Sequence, residues 1–279
     1  MHYINPKNKI ITENQSLNNL SQSLVIKKRI NSNIPSFSII VPVYQEEKLI
    51  ESHLKLFSLD LRKKYNFDLI VSDGGSTDDT VKIASELADI VVVHNSPERQ
   101  TIAAGRNRGA DCSKADILVF LNVDSIPENI DKFIQIIIDF SDKEGKFKNI
   151  GGIACNVGGF PDEVLLKDKI FYFLHNNYVH LLNLLGLGMG RGECQIVRRS
   201  TFEKVGGYND SIVAGEDFDL YRRISKVSKI KFLRELLILE SPRRFRKYGY
   251  IRTILFWLMN SLSVWWFGKS VSKEWEAVR

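Results

Sequence analysis

Short apolar runs alternate with helix-like segments between residues 37 and 124, and this alternation constrains the fold more than any other feature of the chain. The runs begin at residues 37, 68, 90 and 116, and their short length and apolar content are typical of strands buried on both faces. Between the first two runs, Glu46–Leu61 carries apolar side chains at helical spacing. Strands that alternate with helices predict an α/β fold with a mostly parallel, Rossmann-like sheet flanked by helices.

Three polar side chains lie at the ends of these predicted strands, namely Tyr44, Asp73 and Asp124. Ligands of doubly wound sheets bind beyond the carboxyl ends of the strands, so we expect the three side chains to share one site. Asp73 emerges directly from its strand and could accept a hydrogen bond from a base N–H. The loop Gly74–Thr80 is interpreted mainly as a helix-capping turn, because the dinucleotide-binding pattern G-x-G-x-x-G is absent.

Two acidic positions suit catalysis, and each has a structural alternative. A carboxylate at a strand end, such as Asp124, suits a divalent cation bound to a diphosphate, but it could also belong to a strand-terminating turn. Glu216 and Asp217 precede a predicted helix, so one carboxylate could cap that helix while the other acts as a general base. A solvated helix start is the alternative, and these residues alone leave both choices open.

The composition excludes some classes of protein and leaves others open. A formal net charge of +6 and an isoelectric point near 9.1 favour an anionic partner, which nucleic acid, anionic lipid and sugar nucleotides would all satisfy. No aromatic and basic strand motif of an RNA-recognition domain is present, so no nucleic-acid partner is expected. The three cysteines never form C-x-x-C, which argues against a disulfide framework or a zinc cluster and favours a reducing compartment.

The composition along the chain predicts three segments. Residues 1–35 are polar and are expected to form a flexible leader, 36–245 the α/β domain, and 246–279 an amphipathic, membrane-interfacial helix. The apolar stretch Thr253–Phe267 has 15 residues, too few to span a bilayer, and its tryptophans favour the membrane interface. The alternative is that these aromatics cover the sheet. The apolar segment Val164–Met189 is interpreted as an amphipathic helix pair, and the Gly-rich turn Gly190–Gln195 follows it.

Five motifs in this order resemble those of the inverting glycosyltransferases of family 2, which have the GT-A fold. The family pattern Pro-x-Tyr-Asn-x-Glu is similar to Pro42–Glu47, and Val-x-Asp-[Asp/Gly]-Gly-Ser-Thr-Asp-x-Thr is similar to Val71–Thr80. The pattern Ala-x-x-x-Asn-x-Gly is similar to Ala103–Ala110, and the metal motif is similar to Asn122–Asp124. The pattern Gly-Gly-Phe…Glu-Asp is similar to Gly206–Asp217. Gln45 replaces the family's Asn, and Asn122 stands where the family usually has Asp. The chain is most similar to a subgroup with a C-terminal Arg-Arg element followed by an apolar helix.

The resemblance implies a role for each matching residue. The nucleotide-binding pocket would be formed by Pro42, Tyr44, Glu46, Asp73, Arg106 and Asn122. Asp124 would hold Mg²⁺ or Mn²⁺ on the diphosphate. Asp217 would be the catalytic base, supported by Glu216. The diphosphate or the acceptor would contact Arg191, Gln195, Arg243 and Arg244.

The expected activity follows from the same resemblance. A sugar would pass from a nucleoside diphosphate, most often UDP in this family, to a hydroxyl of a glycan or lipid-linked acceptor with inversion, as in cell-envelope polysaccharide biosynthesis. The protein is expected in the cytoplasm, peripheral at the inner face of the cell membrane. The alternative function is a catalytically silent sugar-nucleotide-binding or scaffold protein at the membrane, favoured by Asn122 and by the basic, Trp-rich C-terminal segment.

Overall fold

The structure, a computed structural model, describes residues 23–27, 34–97 and 99–272. The strands of this part of the chain are β1 (Ser23–Lys27), β2 (Phe37–Val43), β3 (Phe67–Asp73), β4 (Ile90–His94), β5 (Ile117–Leu121), β6 (Ser125–Pro127), β7 (Ile150–Gly159), β8 (Cys194–Arg198) and β9 (Lys229–Glu240). The helices are α1 (Ile50–Lys55), α2 (Leu59–Tyr65), α3 (Thr80–Leu87), α4 (Ile102–Cys112), α5 (Ile130–Ser141), α6 (Leu166–Leu184), α7 (Arg199–Lys204), α8 (Glu216–Ser225), α9 (Arg243–Tyr248) and α10 (Tyr250–Phe267).

The nine strands form one sheet in the order β1-β4-β3-β2-β5-β8-β7-β9-β6. Strands β4, β3, β2 and β5 run parallel, so their carboxyl ends meet at one edge, and every residue of β3 and β5 is buried. Beyond β5 the pairing becomes mixed, because β8 runs antiparallel to both β5 and β7. The predicted α/β class, with a Rossmann-like sheet flanked by helices, is confirmed.

Three predictions about individual elements need correction. The single helix predicted from residue 46 to residue 61 is two helices, α1 and α2, because Ser58 caps α2 by accepting a hydrogen bond from Leu61 N at 3.3 Å. The predicted helix pair after residue 164 is one 19-residue helix, α6. Within the predicted flexible leader, β1 pairs antiparallel with β4, whereas residues 1–22 and 28–33 lie outside the described residues.

Helix α4 lies close against the parallel strands where Gly109 faces β2. A Cβ at Gly109 would collide with Ile40 Cγ2 of β2, whereas a Cβ at Gly105 would collide with the side chain of Gln100. This close approach places the buried side chain of Arg106 near the carboxyl edge of the sheet. The packing of α4 therefore places Arg106 near the predicted site.

The C-terminal helix α10 packs on the rest of the protein through one face. Thr253, Asn260 and Val264 on that face are buried, and the ring of Trp257 stacks on His175 of α6 with 5.2 Å between ring centroids. Across residues 23–27, 34–97 and 99–272, no helix is both long enough and apolar enough to cross a membrane.

Candidate active site

The carboxyl end of β3 carries Asp73, which keeps one oxygen without a partner. Its Oδ2 accepts hydrogen bonds from Gly75 N at 2.8 Å and Ser76 N at 2.9 Å, which shape the loop after the strand. Its Oδ1 is buried and has no hydrogen-bond partner in the described part of the chain. A buried carboxylate oxygen without a partner is costly, so it favours a ligand that donates a hydrogen bond at this position.

The loops after β2 and β3 are held together by hydrogen bonds between them. Gln45 N donates to Ser76 Oγ and Glu46 N donates to Thr80 Oγ1, both at 2.8 Å. Gln45 has a φ of +57°, a left-handed conformation in which Asn is more common. The interpretation of the loop Gly74–Thr80 as a helix-capping turn holds for Asp78, whose Oδ1 accepts from Thr80 N at 3.1 Å at the start of α3, whereas the Ser76 hydroxyl serves the β2 loop. These bonds position Tyr44 and Glu46 beside Asp73.

Tyr44 is an exposed aromatic at this end of the edge. Its ring is 39% exposed, and the Arg99 guanidinium lies 5.4 Å from its centroid. Pro42 lies on β2 opposite Ser72, one position before the Val43–Asp73 pair. The predicted nucleotide-binding residues of β2 and β3 are therefore adjacent.

Arg106 connects three parts of the chain from its buried position on α4. Its Nη1 donates to Glu216 Oε1 at 2.7 Å, and its Nη2 donates to Asn122 Oδ1 at 3.0 Å and to Gly192 O at 2.8 Å. The guanidinium also lies 5.3 Å from the ring centroid of Tyr208. Arg106 thus joins the start of α8, the end of β5 and the turn before β8 through hydrogen bonds from one buried side chain.

Glu216 and Asp217 begin helix α8, immediately after Gly215, whose φ is +88°. Asp217 Oδ1 accepts a hydrogen bond from Phe218 N at 2.8 Å. Burial and the neighbouring charge of Glu216 raise the pKa of Asp217 to about 7, although the Phe218 N–H and Arg106 act in the opposite direction. A carboxylate with a pKa near the working pH is suited to general-base catalysis.

The predicted metal motif lies at the end of β5. Asn122 N donates to Glu193 O at 3.1 Å, which joins the motif to the turn before β8. The Asp124 side chain is 48% exposed, and one of its oxygens lies 3.6 Å from Arg243 Nη2. Burial lowers the pKa of the adjacent Arg244, although the charge of Asp124 opposes that shift. The predicted metal ligand and the predicted Arg-Arg pair are therefore neighbours.

Arg191 and Gln195 were predicted to contact the diphosphate or the acceptor, but the structure places both inside the protein. Arg191 is 3% exposed and donates to Glu193 Oε1 at 2.8 Å and to Glu240 Oε1 at 3.3 Å. Gln195 is fully buried, and its Oε1 accepts from the Tyr208 hydroxyl. Their observed partners are protein groups, so both side chains support the walls of the site.

Two acids of the site were not predicted from the sequence. Glu193 and Glu240 share Arg191, and burial together with the charge of Glu193 raises the pKa of Glu240 well above its ordinary value. Glu193 also raises the pKa of Asp217. Glu193 lies within the Gly-rich turn Gly190–Gln195, whereas no signal in the sequence marked Glu240, because its strand, β9, was not predicted.

Polar residues from the ends of β2, β3 and β5 and from the start of α8 are grouped at the carboxyl edge of the sheet, an arrangement that fits a GT-A glycosyltransferase. Residues 38–206 match the sequence model described as glycosyl transferase family 2. This chain belongs to that family. It is therefore a transferase of sugars.

Curated relatives agree with this assignment. The chain is 28% identical over 232 residues to the O-antigen chain rhamnosyltransferase WbaN of Salmonella anatum, an alignment that covers 77% of this chain and 70% of WbaN. It is 26% identical over 203 residues to the glycosyltransferase AglE of Haloferax volcanii, covering 69% of this chain and 62% of AglE.

Solved structures agree on the fold. The mannosyltransferase PcManGT of Pyrobaculum calidifontis, solved with GDP-Man and Mn²⁺, has a TM-score of 0.57 at 18% identity, covering 79% of this chain and 63% of PcManGT. Glucosyl-3-phosphoglycerate synthase of Mycobacterium tuberculosis, solved with Mn²⁺, UDP and glucosyl-3-phosphoglycerate, has a TM-score of 0.52 at 18% identity, covering 82% and 79% of the two chains.

The raised pKa of Asp217 predicts the pH dependence of the reaction. If Asp217 must be ionised to act, kcat/KM should rise with pH and level off above about 7. In Glu216→Gln, a negative charge that opposes ionisation is lost, so the midpoint of this rise should move to lower pH. A pH profile of kcat/KM for both proteins measures the shift. An unchanged midpoint in Glu216→Gln would contradict the coupling of the two carboxylates.

Proposed function

We propose that this protein transfers a sugar from a nucleoside diphosphate, UDP in the first instance, to a hydroxyl of a glycan or lipid-linked acceptor with inversion of configuration. The observation that carries this proposal is Asp217, a carboxylate with a pKa of about 7 at the start of α8 beside Arg106 and Glu216. Direct attack by the acceptor oxygen on the anomeric carbon, opposite the leaving diphosphate, inverts the configuration.

In this proposal Asp217 is the proton acceptor. Its carboxylate takes the proton of the acceptor hydroxyl as that oxygen bonds to the anomeric carbon, and the bond to the diphosphate breaks with its electron pair. Glu216 is hydrogen-bonded to Arg106 at 2.7 Å, so it keeps Arg106 and the start of α8 in place. Arg243 and Arg244 are suited to stabilise the negative charge of the departing diphosphate.

Asp73 is proposed to recognise the base. Its buried Oδ1 has no hydrogen-bond partner among the described residues, and a pyrimidine N–H would supply the missing donor. The exposed ring of Tyr44 lies on the adjacent loop and offers a surface for the base or the ribose.

Asp124 fits a divalent cation, Mg²⁺ or Mn²⁺, held together with the diphosphate. Its carboxylate is half exposed, and its contact with Arg243 at 3.6 Å is longer than an ideal hydrogen bond. Mg²⁺ is commonly bound by one or two carboxylates plus substrate phosphates, so a single carboxylate such as Asp124 can serve together with the diphosphate. The bound cation would neutralise charge on the leaving diphosphate.

A peripheral position at the inner face of the cell membrane is part of the proposal. It is supported by the basic residues and tryptophans of the C-terminal segment and by the exposed apolar side chains of α10. At that location the enzyme would meet a lipid-linked acceptor directly.

Donor binding tests the proposal through Asp73. In Asp73→Asn, the amide oxygen can still accept the hydrogen bonds from Gly75 N and Ser76 N. The amide nitrogen then stands in place of Oδ1, so a donor replaces the acceptor that the base would use. We expect UDP to bind about 10- to 100-fold more weakly, the value of a hydrogen bond to a charged group. Thermal-shift titration with UDP and Mn²⁺ measures this, with the exposed Asp60→Asn as control. Equal UDP affinity in Asp73→Asn and the wild type would contradict base recognition by Asp73.

A further inference from the structure

Helices α6 and α10 both expose apolar side chains at helical spacing. Ile251 is 76% exposed, Leu255 52% and Met259 56% on α10, and Ile170 is 53% exposed, Leu174 61% and Leu181 52% on α6. We call these six residues the two-helix surface. Large apolar side chains exposed together on a helix face mark a candidate interaction site.

The two helices are fastened to each other on their inner sides. Asp168 of α6 is fully buried and accepts hydrogen bonds from the Tyr250 hydroxyl of α10 and from Arg246 Nη2, the latter at 2.8 Å. Trp257 of α10 packs on Phe171 and His175 of α6, with ring centroids 6.3 and 5.2 Å apart. Since the helices touch along this seam, their exposed apolar faces flank it.

The charges around the two-helix surface indicate its partner. Between residues 243 and 272 the chain has six Lys or Arg and neither Asp nor Glu. Arg243 and Arg246 pair with Asp124 and Asp168, whereas Arg252 is exposed on α10 beside the apolar side chains. On α6, Lys167 and Lys169 are exposed, whereas the acid between them, Asp168, is buried. Apolar side chains bordered by cations are complementary to the acyl chains and anionic head groups of a bilayer surface.

Helix α10 also contacts the segment that carries the proposed base. The ring of Trp265 stacks on Phe218, with centroids 6.1 Å apart, and Phe218 directly follows Asp217. Val264 packs with Phe218 and Ile212 in one small buried cluster. The helix with the exposed apolar face therefore lies against the start of α8.

We propose that α6 and α10 together form one docking surface for an anionic bilayer, and that this surface brings the acceptor side of the active site to the membrane. The inference rests on the proposed transfer to a lipid-linked acceptor and adds α6 to the membrane contact. The acceptor's lipid would stay in the bilayer while its head group reaches Asp217. Both helices are required for this docking.

Vesicle binding by two double variants, one on α6 and one on α10, tests the proposal. Ile170→Glu with Leu174→Glu alters only exposed positions of α6, and Leu255→Glu with Met259→Glu does the same on α10. The control is Leu59→Glu with Val227→Glu, both 40% exposed in the wild type and outside the two helices. Sedimentation with phosphatidylcholine vesicles containing phosphatidylglycerol measures the partition coefficient, and thermal melting checks that each variant folds.

We expect the double variant of α6 and the double variant of α10 each to lower the partition coefficient by about tenfold or more, corresponding to about 1.4 kcal/mol or more. The control double variant should not lower it. Binding by the wild type should weaken with added salt and on vesicles of phosphatidylcholine alone. If the α6 double variant bound the vesicles as tightly as the wild type does, the proposal would be overturned. A protein that ignores vesicles and instead dimerises through these helices, seen by analytical ultracentrifugation, would also overturn it.

UDP titration of the same samples separates this proposal from the proposed function. If UDP raises the melting temperature while the vesicles are not bound, docking by the two helices is refuted and nucleotide recognition is supported. If the vesicles are bound through both helices and no sugar nucleotide stabilises the protein, the docking surface stands and the proposed donor chemistry fails.

Discussion

Asp217→Asn is expected to lower kcat for sugar transfer by about 10²- to 10⁴-fold, the usual contribution of a general base. An amide of nearly the same shape cannot take a proton from the acceptor hydroxyl. Its oxygen can still accept the Phe218 N–H, which the wild-type carboxylate accepts at 2.8 Å. Donor affinity should therefore change little. Acceptor-dependent release of nucleoside diphosphate measures the rate.

Asp131→Asn is the matched control for this variant. Asp131 also lies in the first turn of a helix, α5, but it is exposed and remote in sequence from the site. Its rate should equal that of the wild type. Turnover by Asp217→Asn at the wild-type rate would show that another group accepts the proton.

Arg106→Met is expected to destabilise the protein by about 3 to 5 kcal/mol, because removing one partner of a buried ion pair leaves the other charge uncompensated. Here that charge is Glu216, which is 7% exposed and hydrogen-bonded to Arg106 at 2.7 Å. Asn122 Oδ1 and Gly192 O would also lose their donor. Urea unfolding measures the change in the free energy of unfolding.

The double variant Arg106→Met with Glu216→Gln distinguishes a lost ion pair from a packing defect. Removing the unpaired charge should recover part of the lost stability, so the double variant should be more stable than Arg106→Met alone. Arg108→Met, two positions along α4 and only partly buried, is the control and should cost less. A double variant less stable than both single variants would contradict the ion-pair explanation.

The parallel half of the sheet was predictable because its strands are short, apolar and separated by helical spacing. Those runs became β2 to β5, and their carboxyl ends carry Asp73 and the metal motif, as expected. Strand β9 was missed because its charged residues, such as Lys231, Arg234 and Glu235, interrupt the apolar pattern and are exposed. With β9 unknown, Glu240 could not be connected to the site.

Side-chain partners distant in sequence account for the rest of the differences. Arg191 lies in a Gly-rich turn and resembles a ligand-binding residue, but one of its partners, Glu240, is 49 positions away. Asp73 and Asp217 were predicted as site residues from their positions at a strand end and a helix start and from the family motifs that mark them. That Arg106 holds both Asn122 and Glu216 could be learned only from the packing of α4 against the sheet.

A crystal structure of the protein with UDP and Mn²⁺ would test the central claim most directly, namely that the carboxyl edge of the sheet is a single donor site. The expected result is a base N–H donating to Asp73 Oδ1, the cation on Asp124 and the diphosphate, and Asp217 facing the far side of the sugar position. UDP bound away from Asp73 and Asp124, with those side chains unchanged, would contradict the account.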